Sequence, residues 1–363
     1  MEKLIKVGVL GATGMVGQNY LQLLQGHPWF DIIDVAASPR SADKTYEKAA
    51  GPKWQMPIPI PENIKDLKVR DVQDYDAIPK DVSFVFSAIN MPTKDMIREV
   101  EFEYAKKDIP VISNNSAHRW TPDVPMIIGE INSHHSDVIP IQQKNRGFSE
   151  GFVAVKPNCS LQSYLTAIFA LEKAGYKVDK LIITTLQAVS GAGYPGVASL
   201  DMIDNIIPYV GGEEEKTEKE PLKILGKVGE KGIINDDSIQ ISSTCTRVAV
   251  REGHTASVNM KFKDKIPLRE EIIKIWKNFK SLPQELGLPF APKHPIIYLE
   301  DEDRPQPIKD RNSEKGMALT VGRLREDNVF DYKFVSLSHN TIRGAAGGAI
   351  LMAEMLKTKG YLK

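Results

Sequence analysis

The stretch LIKVGVLGATGMVGQNYLQLL, beginning at Leu4, is a β-branched strand, a glycine turn and a helix in direct succession. Gly8, Gly11, Gly14 and Gly17 bracket the turn, and the last three are spaced G-x-x-G-x-x-G. Glycine lets the backbone approach a pyrophosphate closely, and a helix N-terminus adds free N–H groups and the positive end of its dipole. A second strand, DIIDVAAS, follows. The strand–helix–strand context favours dinucleotide binding over a plain tight turn. The contacts would fall on Gly11, Thr13, Gly14, Met15 and Val16.

The end of the second strand refines this reading. Sites for NAD usually carry an acid there, to hold the ribose hydroxyls. Here the sequence is AASPRSADK, so Ser38, Arg40 and Ser41 offer hydroxyls and a cation where a 2′-phosphate would lie. The forked guanidinium of Arg suits a phosphate dianion. The expected cofactor is therefore NADP (NADPH).

Strands and helices continue to alternate through DVSFVFSAI, MPTKDMIREVEFEYAKKD and IPVISNNSAHRW, the pattern of a doubly wound parallel sheet. Ligands bind at the carboxyl ends of such strands, which turns attention to Ser87, Asn115 and Arg119. The proline-rich segment AAGPKWQMPIPIPENIKD reads as an irregular excursion.

After the helix that Cys159 opens, the pattern changes to long strands with antiparallel reversals, one of them near REDN, interrupted by helices. A chain of 363 residues accommodates two domains. The expected fold is α/β: an N-terminal Rossmann-type NADP-binding domain plus an α+β catalytic and dimerisation domain with a broad mixed sheet. The boundaries fall at 1–157 for the first domain and 158–339 for the second. The Gly/Ala-rich helix 340–363 returns to the first domain. Within the charged run GGEEEKTEKEPLK, residues Glu213 to Lys216 read as solvated.

Equal numbers of acidic and basic residues, 47 of each, give no basic excess for nucleic acid or an anionic membrane. No apolar stretch approaches a membrane span of about 20 residues. The chain start runs straight into strand and turn and lacks the pattern of a signal. Two cysteines suit a reducing compartment, so the expected location is cytoplasmic. Two distant cysteines and scattered histidines also lack metal-ligand spacing.

Of the two thiols, Cys159 follows Pro157 and Asn158 at what reads as a helix start, where the dipole would lower a thiol pKa. Asn158 could orient a substrate oxygen or cap that helix. Cys245 lies inside the strand STCTRVAV and reads as inert. A thiolate beside a nicotinamide points to aldehyde oxidation or its reverse through a thioester, with a proton carrier. Among seven histidines, His254 stands out, in a turn seven residues after Arg247; His339 comes second. An Arg and a His flanking one turn can bind a carboxylate and move a proton.

With these residues assembled, the chain resembles the aspartate-β-semialdehyde dehydrogenases of the archaeal and fungal branch over essentially its whole length. The resemblance rests on GATGMVGQ from Gly11, SPRSADK from Ser38, SNNSAHR from Ser113, PNCS from Pro157, QAVSGAGYPG from Gln187, EPLKILG from Glu220, RVAVREGH from Arg247 and HNTIRGAAGG from His339. It implies Cys159 as nucleophile, His254 as acid/base and Gln187 as the group orienting the acyl intermediate. It also implies Arg247 on the substrate carboxylate and Glu220 on its ammonium group. Arg119 and Lys223, assisted by Asn158, would hold phosphate. Ser190, Gly191 and Gly193 would lie near the nicotinamide, and Asn340 near the cofactor. The implied reaction is NADPH-dependent reductive dephosphorylation of L-aspartyl-4-phosphate to L-aspartate-4-semialdehyde, by a homodimer or homotetramer.

A malonyl-CoA reductase on the same scaffold is the nearest rival. It would need neither an acid for the amino group nor a phosphate clamp. N-acetyl-glutamyl-phosphate reductase fits PNCS and RVAVREGH less well. A scaffold that binds cofactor without turnover would not need Cys159, His254 and Arg247 together.

Overall fold

The computed structural model describes residues 3–363. Two six-stranded sheets organise it. The first contains β1 (Ile5–Leu10), β2 (Phe30–Ala37), β3 (Arg70–Asp71), β4 (Phe84–Ser87), β5 (Val111–Ser113) and β6 (Val153–Val155). Its order is β3-β2-β1-β4-β5-β6, with every pair parallel. The order reverses between β1 and β4, so a crevice forms outside Leu10 and Ser87, where doubly wound sheets take their ligands. These strands are nearly continuous runs of buried apolar residues, as a sheet covered on both faces requires.

The second sheet uses β7 (Val178–Gln187), β10 (Gln240–Arg247), β11 (His254–Phe262), β12 (Ile296–Leu299), β13 (Leu319–Glu326) and β14 (Tyr332–Ser338). A small hairpin of β8 (Lys227–Gly229) and β9 (Gly232–Ile234) stands apart. The large sheet is mixed, in the order β10-β7-β11-β14-β13-β12. The reversal expected near REDN is the antiparallel β13–β14 pair.

This order fixes the site. β7 and β10 run parallel with Gln187 opposite Arg247. β11 runs antiparallel to β7, and its first residue is His254. All three side chains therefore start from one end of the sheet. The end of β14 joins them, since Ser338 pairs with His254.

The C-terminal helix Gly347–Thr358 packs its buried Ile350, Met352, Met355 and Leu356 into the same core as Val7, Val9, Tyr20 and Phe84 of the first sheet. The proline-rich excursion is held by Gln18, whose amide bonds Lys53 O, Thr13 O and Gln55 N. No helix among the described residues is long and apolar enough to cross a membrane.

The helix Arg269–Asn278 covers the second sheet through Trp276. The indole is fully buried, lies 5.2 Å from the Phe334 ring and 6.1 Å from that of Tyr298, and donates to Ala167 O at 2.9 Å. Trp276→Ala should therefore cost about 3–5 kcal/mol in denaturant unfolding of this domain. A loss below about 1 kcal/mol would contradict the packing.

Candidate active site

Cys159 follows β6 and precedes a short 3-10 turn, Ser160–Ser163; the α-helix begins only at Leu165. The expected α-helix N-terminus at the thiol is thus displaced. Cys159 Sγ lies 3.4 Å from His254 Nε2 and 3.4 Å from Asn158 Oδ1. Gly344 packs directly against the nucleophile: a Cβ there would sit 2.9 Å from that of Cys159. Gly344 belongs to the HNTIRGAAGG segment.

His254 is fully buried, and Ala188 N–H donates to its Nδ1 at 3.0 Å. The neutral ring therefore carries its proton on Nε2, facing the sulfur. Burial, with Arg247 nearby, pushes its pKa down to about 3. Arg247 donates to Ala188 O at 2.7 Å, so one peptide residue fixes both the imidazole and the guanidinium. A Cβ on Gly191 would stand 3.0 Å from Arg247 Nη1 and 3.3 Å from His254 Cε1. Glycine there keeps the Ser190–Gly193 loop close to the reacting groups. Asn340 binds that loop, donating to Ser190 Oγ at 2.8 Å while accepting from Gly253 N at 2.8 Å.

The helix Glu213–Ile224 closes the site and corrects the reading of the charged run. Glu213 is buried, not solvated. Its Oε2 accepts from Asn158 Nδ2 at 2.7 Å and from Gln187 Nε2 at 3.3 Å, and its Oε1 accepts from Lys216 Nζ at 2.7 Å. The run is helical, so Glu213, Thr217, Glu220 and Lys223 share one inner face. Helical periodicity was the available signal, masked by the density of charge.

The same periodicity alters Glu220 and Lys223. Both oxygens of Glu220 are committed, to Arg119 Nη1 and to Asn158 N. Lys223 spends its three N–H groups on the carbonyls of Arg119, Thr121 and Val124. Neither presents a free group to a substrate. Arg119 uses three of its five N–H donors, on Lys156 O, Glu220 and Asn114 O, and two remain. Two turns before Glu220 and Lys223 stand Glu213 and the partly exposed Lys216, the other Glu-x-x-Lys pair of this helix.

One residue of the helix has a further consequence. Pro221 lacks the N–H that would bond Thr217 O, and Tyr164 Oη donates to that carbonyl instead, at 3.2 Å. Tyr164 is the residue between the 3-10 turn after Cys159 and the following α-helix.

The dinucleotide turn has the geometry the glycines suggest. Gly11 adopts φ +75°, and a Cβ on Gly17 would collide with Gly11 O at 2.3 Å. Gly14 caps the helix Met15–Leu23 without any side-chain bond, and a Cβ there would meet only Gly11 O, at 3.4 Å. Backbone N–H groups at Met15 and Val16 thus open onto the crevice with no side chain before them. Thr13 lies in the same turn. Ser38, Arg40 and Ser41 form the turn after β2, and among the described residues the exposed Arg40 guanidinium has no ion pair. These residues fit a phosphorylated dinucleotide. Ser87 and Asn115 depart from expectation. Ser87 is fully buried and donates to Glu101 Oε1 at 2.7 Å; Asn115 donates to the same oxygen at 2.8 Å. Their side chains serve a buried carboxylate under the crevice rather than the crevice itself.

Burial raises the Cys159 pKa above its ordinary value, and Glu213 raises it further, against the opposing pull of Lys156, Arg119 and Lys216. Burial and Glu213 override the lowering expected from a helix dipole, and only a four-residue 3-10 turn follows the thiol. Glu213→Gln removes a negative charge that disfavours thiolate. The midpoint of the pH profile for iodoacetamide alkylation of Cys159 should then fall, and an upward shift would contradict this electrostatic account.

Comparison with known proteins follows the same lines. Residues 6–139 match the family model for the semialdehyde dehydrogenase NAD-binding domain, and 168–343 match that for the semialdehyde dehydrogenase dimerisation domain. An aspartate-semialdehyde dehydrogenase of Methanothermobacter thermautotrophicus is 43% identical, over 97% of this chain and 99% of its own. That of Aspergillus fumigatus is 41% identical, over 98% of each. Among solved structures, the aspartate-semialdehyde dehydrogenase of Candida albicans with NADP superposes with a TM-score of 0.88 at 37% identity, covering 98% of this chain and 99% of that one. The chain belongs to the aspartate-semialdehyde dehydrogenase family.

Proposed function

We propose that the protein catalyses the NADPH-dependent reductive dephosphorylation of L-aspartyl-4-phosphate to L-aspartate-4-semialdehyde, in amino-acid biosynthesis. The observation that carries this reading is the placement of Cys159 Sγ at 3.4 Å from His254 Nε2, with Arg247 and Glu213 flanking the pair. Cys159 thiolate attacks the acyl carbon; a C–S bond forms, the C–O bond to phosphate breaks, and phosphate departs with the bonding pair. Arg119 and Lys216 each keep N–H donors for that phosphate. Arg247 takes the substrate carboxylate. Glu213 takes its ammonium group, in place of the Glu220 that the resemblance implied. The Gly11–Val16 turn with Ser38, Arg40 and Ser41 would hold NADPH, which would supply a hydride to the thioester carbon; as that C–H bond forms the C–S bond breaks, and Cys159 recovers its thiolate. Nε2–H of His254 donates first to the thiolate and then to the acyl oxygen. Asn158 and Gln187, both held by Glu213, orient that acyl group.

Glu213 also argues against malonyl-CoA as substrate, since a malonyl thioester has no ammonium group to meet it. Self-association belongs to the same proposal. Leu200, Ile203, Ile206 and Tyr209 are exposed apolar side chains on the second domain, suited to burial against another copy. The assembly would be a homodimer or homotetramer, and a reducing, cytoplasmic setting would suit the Cys159 thiol.

The decisive assay is phosphate-dependent reduction of NADP by L-aspartate-β-semialdehyde, run beside malonyl-CoA-dependent NADPH oxidation. Activity in the second alone would overturn the substrate. Cys159→Ser should lower turnover on the order of a thousandfold or more while NADP still binds. Unchanged turnover would sink the thioester route. Arg40→Ala should raise the KM for NADP by roughly ten- to a hundredfold and leave that for NAD nearly unchanged; equal effects on both would remove Arg40 from the 2′-phosphate.

A further inference from the structure

Glu220 has no exposed surface. Its Oε1 accepts from Arg119 Nη1 at 2.9 Å and its Oε2 from Asn158 N at 2.6 Å. These partners come from two loops, one after β5 and one after β6. Arg119 closes the ring by donating from Nε to Lys156 O at 3.2 Å, two residues before Asn158. Lys223, one turn further along the same helix, grips the Arg119 loop through three carbonyls at 2.8–2.9 Å. The helix face therefore holds the nucleophile loop and the phosphate-facing arginine with charge-assisted bonds, the strong class of hydrogen bond. Burial makes either partner costly to leave alone.

Resting on the dehydrogenase reading above, we propose that Glu220 is a positioning residue. It fixes the Pro157–Asn158 peptide, which carries Cys159, relative to the Arg119 guanidinium. The nucleophile and the phosphate site thus share one carboxylate, and Glu220 itself does not touch the substrate. The angle between attacking sulfur and departing phosphate is set by its two oxygens, and small errors in such angles are expensive in rate.

The test uses full-length Glu220→Gln and Glu220→Asp enzymes in the oxidative direction. Phosphate and aldehyde are varied separately, and the deaminated analogue 4-oxobutanoate is run in parallel. Iodoacetamide alkylation of Cys159 is followed without substrate, and thermal melting reports folding. Glu220→Gln should raise the KM for phosphate about tenfold or more and lower kcat about tenfold or more. The KM for the semialdehyde should stay within about threefold, and its preference over 4-oxobutanoate should not change. The alkylation rate should shift by about threefold or more. Glu220→Asp, which keeps the charge, should recover part of each loss, and it carries the test if the Gln variant does not fold. Wild-type values for phosphate KM, kcat and alkylation together would overturn the proposal. So would lost discrimination against 4-oxobutanoate, which would make Glu220 a substrate contact. A wild-type enzyme inert toward the semialdehyde, with alkylation still altered by Glu220→Gln, would instead retire the substrate assignment and leave the positioning role standing.

Discussion

Polar side chains from the inner face of the 213–224 helix meet the loop that carries Cys159, and the rest of the site is arranged around that contact. Glu213 holds the Asn158 side chain and Gln187, and Glu220 holds the Asn158 backbone and Arg119. Thr217, between them, lies 3.4 Å from the Ser160 hydroxyl. Buried carboxylates are stable only when their lone pairs are occupied, and here nearly every occupant is a group the chemistry uses or a peptide that carries one. Stability and alignment of the site therefore draw on the same bonds.

The two sheets contribute different things. The parallel sheet offers a backbone surface, at Gly11 to Val16, that owes its shape to missing side chains. The mixed sheet offers side chains: its strand order brings Gln187, Arg247 and His254 to one end, although the last is 67 positions from the first. The thiol arrives from the first sheet, after β6, and so stands between hydride chemistry on one side and substrate recognition on the other. Gly344 lets the chain returning from β14 pass directly behind it.

Much of this could be read from sequence, for physical reasons. The glycine turn announces itself because few other residues tolerate its backbone and its contacts. Cys159 and His254 are rare residue types in unusual local settings. What escaped was direction. Glu213–Lys216 and Glu220–Lys223 are the same four-residue pattern repeated two helical turns apart, so both lie on one face and local sequence cannot say which pair meets open space. Only the packing of Arg119, Thr121 and Val124 around Lys223 separates them. Ser87 and Asn115 misled for a related reason. The carboxyl end of a strand has two sides, and buried Glu101 claims the one on which these side chains lie.

Pro221 shows what a local defect can contribute. A proline inside a helix sacrifices a backbone bond and ordinarily weakens the element. At this position the vacated Thr217 carbonyl has no competitor within its own helix, so the Tyr164 hydroxyl takes it without displacing anything. A residue with an N–H at 221 would make the helix more self-sufficient and the tyrosine redundant. The helix and the segment leading away from the nucleophile would then have one bond fewer between them, leaving those of Glu213, Thr217 and Glu220. The proline exchanges a bond within one element for a bond between two, and so adds to the ties that hold the helix against the segment that follows the nucleophile.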